Sequence, residues 1–389
     1  MEGANPGHGR RRGQTIKIVA AAAVAAVLAA AGAALLVLHT RPGRIPVHVL
    51  PVGQNMNSAT AIAVDGPHVW VASETDRWGG SVTELDASDG RWVRTLSGAR
   101  YGIHSPTAIA ADGAHLWVAN GSGSVTELDA SDGGWVRTLS GARYGFKGPT
   151  AISVAGGHVW VASYDGGVTE LNAADGRWVR TLSAARYGFS APNAITVAGG
   201  LVWVANEGDG DGRGGSVTEL DAGDGGWVRT LSGARYGFNA PYSIASAHGR
   251  IWVTNLYPGV DGGSVTELNA GDGSWVATLT GGCYSFDSPH GIAVDGGHIW
   301  VANSGASQAG GSVTELNASN GGWIQTLSDG TWIQSLLRGC IPGVLASGGY
   351  HFSNPGLVAA VGPRIWVFGR DGVRVLTDPA ARPGRGERP

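Results

Sequence analysis

The sequence predicts an all-β fold, a ring of seven four-stranded blades whose two ends close on each other. Three observations carry that expectation. A tryptophan recurs at Trp70, Trp117, Trp160, Trp203, Trp252, Trp300 and Trp366, with spacings of 47, 43, 43, 49, 48 and 66 residues. Around it lie four short runs in which apolar and polar residues mostly alternate, the period of a half-buried strand. The last copy lacks its fourth run, and an orphan run ahead of the first copy supplies one. Four strands in each repeat of roughly 40–50 residues is the signature of a β-propeller blade.

The copy at 291–327 shows the elements best. Gly291–Val294, His298–Asn303, Gly311–Leu316 and Trp323–Leu327 read as strands A to D of an antiparallel meander. Asn317-Ala-Ser-Asn-Gly321 is a tight hairpin turn, with Asn and Gly where positive φ is required. Copies two to six are complete. The last has A (Leu357–Val361), B (Arg364–Phe368) and C (Gly372–Leu376), then stops. Pro46-Val-His-Val-Leu-Pro51 aligns with the D strand Trp92-Val-Arg-Thr-Leu-Ser97 and is the expected donor of the missing outer strand. Pairing it there removes an exposed sheet edge. A linear solenoid is the competing architecture, but it calls for capping repeats rather than complementary part-blades.

Ahead of the ring, residues 1–17 are polar and basic, and residues 18–38 are 21 consecutive apolar residues, eleven of them Ala. As a helix that run would reach about 31 Å, matching a hydrocarbon core of roughly 30 Å. An uncleaved transmembrane signal-anchor is expected, with its basic end cytoplasmic. A cleaved signal peptide is the alternative, although its apolar region is usually about 7–15 residues. Either way the ring is expected to be extracytoplasmic. The organisation is then a cytoplasmic tail at 1–17, a membrane helix at 18–38, a linker at 39–44, the propeller at 45–380 and a disordered tail at 381–389.

Trp252-Val-Thr-Asn255, with the Trp-Val-Ala-Asn copies at 117–120, 203–206 and 300–303, resembles the Tyr-Val-Thr-Asn motif of YVTN-repeat propellers. Ser264-Val-Thr-Glu-Leu-Asn269 and Pro289-His-Gly-Ile-Ala-Val-Asp295 resemble the same family's strand C and its approach to strand A. NHL-repeat propellers and the streptogramin B lyase are neighbours of this pattern. The resemblance covers residues 45–378 and implies the fold; a propeller hosts many activities.

Composition agrees. The 389 residues include 66 Gly and 15 Trp and only 15% charged residues, as short strands joined by Gly turns require. The net charge of −3 is uneven: +5 over residues 1–44 and −8 over the remainder. No basic stripe marks a nucleic-acid footprint. Cys283 and Cys340 are the only cysteines. They fall in neighbouring connections on one face, so a disulfide is expected, with two buried free thiols as the alternative.

Most conspicuous residues recur and so belong to the frame. The strand-B tryptophans, and the strand-D set Trp92, Trp135, Trp178, Trp227, Trp275 and Trp323, are expected to pack blade on blade. His68, His115, His158 and His298 recur just before strand B and lie too far apart around a ring to share an ion. Glu84, Glu127, Glu170, Glu219, Glu267 and Glu315 on strand C are expected to face solvent beside outer-strand arginines such as Arg94 and Arg137. Arg100, Arg143, Arg186 and Arg235 are expected to support inter-blade packing, with an anion site as the alternative.

Function is expected where the copies stop agreeing. The turns on one face are uniform; the B-to-C loops on the other vary, and loops on a rigid frame carry binding sites. The residue leading into strand A reads Thr60, Thr107, Thr150, Asn193, Tyr242, His290, Gly356 around the ring. The Thr pattern breaks on three adjacent blades. Asn193, Tyr242 and His290, with Glu207 at the end of a neighbouring strand B, are the candidate ligand-binding residues at the channel mouth; drift at an exposed position is the plain alternative. No cofactor motif occurs. Asp209-Gly-Asp211 is the one metal hint, two carboxylates in a Gly-rich loop suited to Ca²⁺ or Mg²⁺, without the rest of that motif. No catalytic residue is assigned. The expected function is a membrane-anchored module that binds a protein or small-molecule ligand through its variable face. The alternatives are a metal-assisted lyase resembling streptogramin B lyase, for which His290 and Glu207 are the available stand-ins, and an envelope scaffold with no small ligand.

Overall fold

The computed structural model describes residues 47–49, 56, 58–75, 79–165, 167–183, 185–209, 214–256, 262–282, 284–305, 310–328, 350–370 and 372–377. The membrane helix expected at 18–38, both cysteines and Asp211 lie outside these residues, as do the tails and the linker. Among the described residues no helix is long and apolar enough to cross a membrane.

Among the described residues, 28 strands form seven four-stranded antiparallel sheets. Blades one to six take consecutive strands: β2–β5 (59–97), β6–β9 (106–140), β10–β13 (149–182), β14–β17 (192–232), β18–β21 (241–279) and β22–β25 (289–327), which leaves β26 (Leu357–Val361), β27 (Arg364–Gly369) and β28 (Gly372–Thr377). Blade seven has the order β1-β28-β27-β26, so the first strand of the ring, β1 (Val47–Val49), completes the last sheet. Val47 pairs with Leu376, His48 with Val375 and Val49 with Arg374. The hydrophobic contacts close as well. Trp366 of blade seven packs with Val69, Val71 and Leu85 of blade one. The ring expected from the part-copies is therefore complete.

Strands B and C form the buried middle of each blade. All seven strand-B tryptophans are at most 1% exposed, and each packs in a cluster with the following blade, as Trp70 does with Leu116, Val118 and Leu128. Burying an indole of about 200 Å² contributes on the order of 5 kcal/mol before entropic costs. The strand-D tryptophans divide. Trp92, Trp135 and Trp227 stand exposed on the perimeter, at 65%, 50% and 47%, so blade-on-blade packing does not hold for these three. Their position is set within the strand, where the indole Nε1 donates to the hydroxyl three residues on, as Trp92 does to Thr95 at 2.9 Å.

The strand-C glutamates correct the expectation of solvent exposure. All six are buried. The histidine ahead of strand B and the arginine of strand D reach the carboxylate from either side. His68 Nδ1 and Arg94 Nε lie 2.6 Å and 2.6 Å from the two Glu84 oxygens. In blade three the equivalents are His158 at 2.7 Å and Arg180 at 2.8 Å from Glu170. The alternating pattern failed because both faces of strand C are covered by neighbouring blades, and the arginine with its histidine companion is what makes a buried carboxylate tolerable. The recurring histidines thus serve their own blade's glutamate, as the ring geometry implied.

The uniform C-to-D turns have a second partner. Asp86 accepts from the Ser88 amide at 2.7 Å and its carbonyl from the Gly90 amide at 2.8 Å, the hairpin read from Asp-Ala-Ser-Asp-Gly. Each turn also rests on the preceding blade. Arg94 donates to the Ser131 carbonyl of blade two, Arg137 to Asp175 of blade three and Arg229 to Asp272 of blade five. At Gly273 a Cβ would meet the Glu219 carboxylate at 2.0 Å, so only glycine fits there. This docking explains why that face is uniform in sequence.

Candidate functional site at the mouth of the ring

In six blades strand A opens with a bulge. Register shifts between Pro106 and Ala108, Pro192 and Ala194, Pro241 and Ser243, and Pro289 and Gly291, and likewise in blades one and three. The bulged residues are Thr60, Thr107, Thr150, Asn193, Tyr242 and His290. A bulge re-aims one side chain, here inward, away from the blade interface. Five of the prolines that open the inner strands follow a non-glycine residue at positive φ: Ser105, Ala191, Ala240, Ser288 and Asn354. Such backbone is uncommon and clusters where geometry must be held.

All six bulged residues and Gly356 line one cavity of about 660 Å³ on the ring axis, so the predicted convergence holds. Isoleucines of the inner strands, among them Ile195, Ile244 and Ile292, complete its lining. In blades two and three the threonine clasps the next blade. Thr107 donates to the Pro149 carbonyl at 2.7 Å and Thr150 to Pro192 at 2.6 Å. Asn193, Tyr242 and His290 lack that hydroxyl. In blade five Thr254, where blades one to four and six carry Ala, lies within 3.3 Å of the His290 carbonyl and restores the tie between blades five and six.

Tyr242 and His290 touch edge to face, with ring centroids 4.7 Å apart at 68°. His290 Nδ1 lies 2.8 Å from the Ser288 carbonyl. A carbonyl only accepts, so Nδ1 donates, and in the neutral ring Nε2 keeps its lone pair. Burial, followed by the negative charge of Glu207, pushes the Tyr242 phenol above its ordinary range, so it remains a hydroxyl donor. Glu207 therefore acts on the mouth through its field but is not among the residues lining the cavity. The carboxylate that does line it is Glu74, which sequence reasoning missed. Glu74 and Glu207 both stand four residues after their strand-B tryptophan. Reading that offset around the ring would have found it.

The recurrent arginines behave as frame residues. Arg143 and Arg235 lie over Trp178 and Trp275 of the next blade, at 5.3 Å and 5.9 Å. Arg100 and Arg186 fold over their own Tyr101 and Tyr187. Among the described residues no group of three His, Cys, Asp or Glu is placed to hold a metal ion. Asp209 is described; its proposed companion Asp211 is not.

Fold and mouth together define a seven-bladed β-propeller with a polar axial cavity. The family described as Outer membrane protein assembly factor BamB (PQQ_2) matches residues 80–326, well over half of the chain, and the chain belongs to that family. Among solved structures, Kuenenia stuttgartiensis hydrazine synthase is similar, with TM-score 0.61 at 16% identity, over 85% of this chain and 98% of that one. The computationally designed Ika8 protein is similar at TM-score 0.57 and 14% identity, over 85% and 98%. These two likenesses concern the fold alone. No curated protein is significantly similar in sequence.

Proposed function

We propose that this chain is a membrane-anchored, extracytoplasmic binding module that takes a protein partner at the channel mouth. The observation that carries the reading is the convergence of the bulged residues on one cavity, with three adjacent departures from Thr, two of them in ring contact. Three plain departures by drift would not require the compensating Thr254 tie in the same two blades. A family described by an outer-membrane assembly factor favours a protein partner over a metabolite. The 21-residue apolar run behind a basic tail supports both the anchor and an extracytoplasmic ring.

The experiment is photo-crosslinking in intact cells. A photoreactive residue at Tyr242 is expected to capture a partner, and one at Asp132 on the uniform turn face is not. Protease added outside the cells is expected to digest the ring. A ring protected until lysis overturns the extracytoplasmic assignment; capture from Asp132 and none from Tyr242 overturns the mouth.

A further inference from the structure

We propose that the mouth selects an alkylammonium group, a cationic nitrogen on a short apolar stem. This rests on the binding-module reading and gives its ligand a chemical class. The argument is a census of what the cavity offers. Thr107 and Thr150 spend their hydroxyl protons on the Pro149 and Pro192 carbonyls, so toward the cavity their oxygens can only accept. His290 spends its Nδ1 proton on the Ser288 carbonyl, so its Nε2 accepts in the neutral ring. Glu74 is an acceptor and, among the described residues, the only charged one in the lining. A second carboxylate, Glu207, is close enough to act on Tyr242.

On the donor side stand the Tyr242 hydroxyl and the Asn193 amide, with the Thr60 and Ser243 hydroxyls able to donate or accept. Among the described residues no Lys or Arg lines the cavity; Arg370 of blade seven, at the same offset as Glu74 and Glu207, is not among the lining residues. An acceptor-rich, negatively biased recess with an aromatic wall fits a group that brings three N–H donors and positive charge. The isoleucines give the attached methylenes an apolar surface. An anion finds neither cation nor free donors enough, and a neutral alcohol leaves most acceptors unpaired.

Such a group could come from a lysine side chain of a protein or from a free small amine, and the test separates them. The full chain in detergent is titrated with butylammonium, butanol and butyrate, then with an end-blocked Gly-Lys-Gly peptide and its Nε-acetyl form. Butylammonium is expected to bind at least about tenfold tighter than butanol, with butyrate unbound. The Glu74→Gln, Glu207→Gln double variant, checked for an unchanged melting temperature, is expected to erase that preference. Binding of the lysine peptide but not its acetyl form supports a protein source; binding of butylammonium alone supports a free amine. Equal binding of alcohol and amine, no binding of any probe, or a preference untouched in the double variant overturns the assignment. If capture from Tyr242 survives while the amine preference is missing, the binding module stands and the ammonium assignment falls. An amine preference without capture supports the ammonium assignment and overturns the protein-binding reading.

Discussion

Glu219 offers the sharpest test of how the blades are held. In blade four the histidine that meets the strand-C carboxylate elsewhere is replaced by Leu201, so Arg229 at 3.2 Å is the cation left beside a fully buried carboxylate. Burial dominates; Arg229 opposes it and the charge of Asp272 adds to it, and the Glu219 carboxyl is pushed up to about 7 from 4.5. The folded chain therefore keeps a proton between about 4.5 and 7 that the unfolded chain releases. Stability falls as pH rises across that window and is level on either side. A rise of this size corresponds to about 3 kcal/mol, at about 1.4 kcal/mol per pH unit. Glu219→Gln removes the titration and gives up the Arg229 pair, worth about 1 kcal/mol or less because Arg229 is partly exposed. The variant should match or slightly trail the parent near pH 5 and exceed it by about 2 kcal/mol near pH 8. Hydrogen exchange of the β16 amides (Ser216–Asp221), followed from pH 4.5 to 8, reads the difference locally. Leu201→His, which rebuilds the contact seen at His68 and Glu84, should flatten the parent's slope. A stability difference between parent and Glu219→Gln that does not change with pH would refute the reasoning.

The remaining predictions are brief. Trp117→Ala should cost about 3–5 kcal/mol through a core cavity, and Trp92→Ala less than about 1 kcal/mol, by denaturant unfolding; equal costs would deny the division of the two tryptophan sets. Thr254→Ala should cost about 1 kcal/mol and loosen the Tyr242–His290 contact, visible as faster exchange at the start of β22 (Pro289–Asp295); an unchanged rate would remove its compensating role. A Cys283–Cys340 bridge, contributing about 4 kcal/mol by loop closure, predicts no titratable thiol under denaturing, non-reducing conditions, and a count of two denies it.

Much of the ring was legible because each copy repeats one pattern. The strand-B tryptophans set the register, and the unfinished seventh copy demanded the strand that Val47–Val49 provides. The channel-mouth positions were legible for the same reason, since the bulged residue falls at the same place in six copies and lines the cavity in each of them. What sequence periodicity could not show was the environment contributed by neighbouring blades. Glu84 and its equivalents alternate like solvent-facing residues, yet the next blade's turn covers them and, at Glu84, Arg94 and His68 meet the two carboxylate oxygens. Trp92 looks like a packing residue, yet no blade lies outside the outer strand. Glu74 ends its strand B at the edge of a loop that differs from every other copy, so only its offset from Trp70 connects it to Glu207.

The central claim is that three departures from Thr make the mouth a binding site. It is tested by returning them to what blades one to three carry: Asn193→Thr, Tyr242→Thr and His290→Thr in one chain. Capture is then measured in intact cells from a photoreactive residue at Thr60, which lines the same cavity. The account predicts a ring at least as stable as the parent, because threonine restores the clasp made by Thr107 and Thr150, together with loss of the captured partner. Undiminished capture by a stably folded triple variant would contradict it.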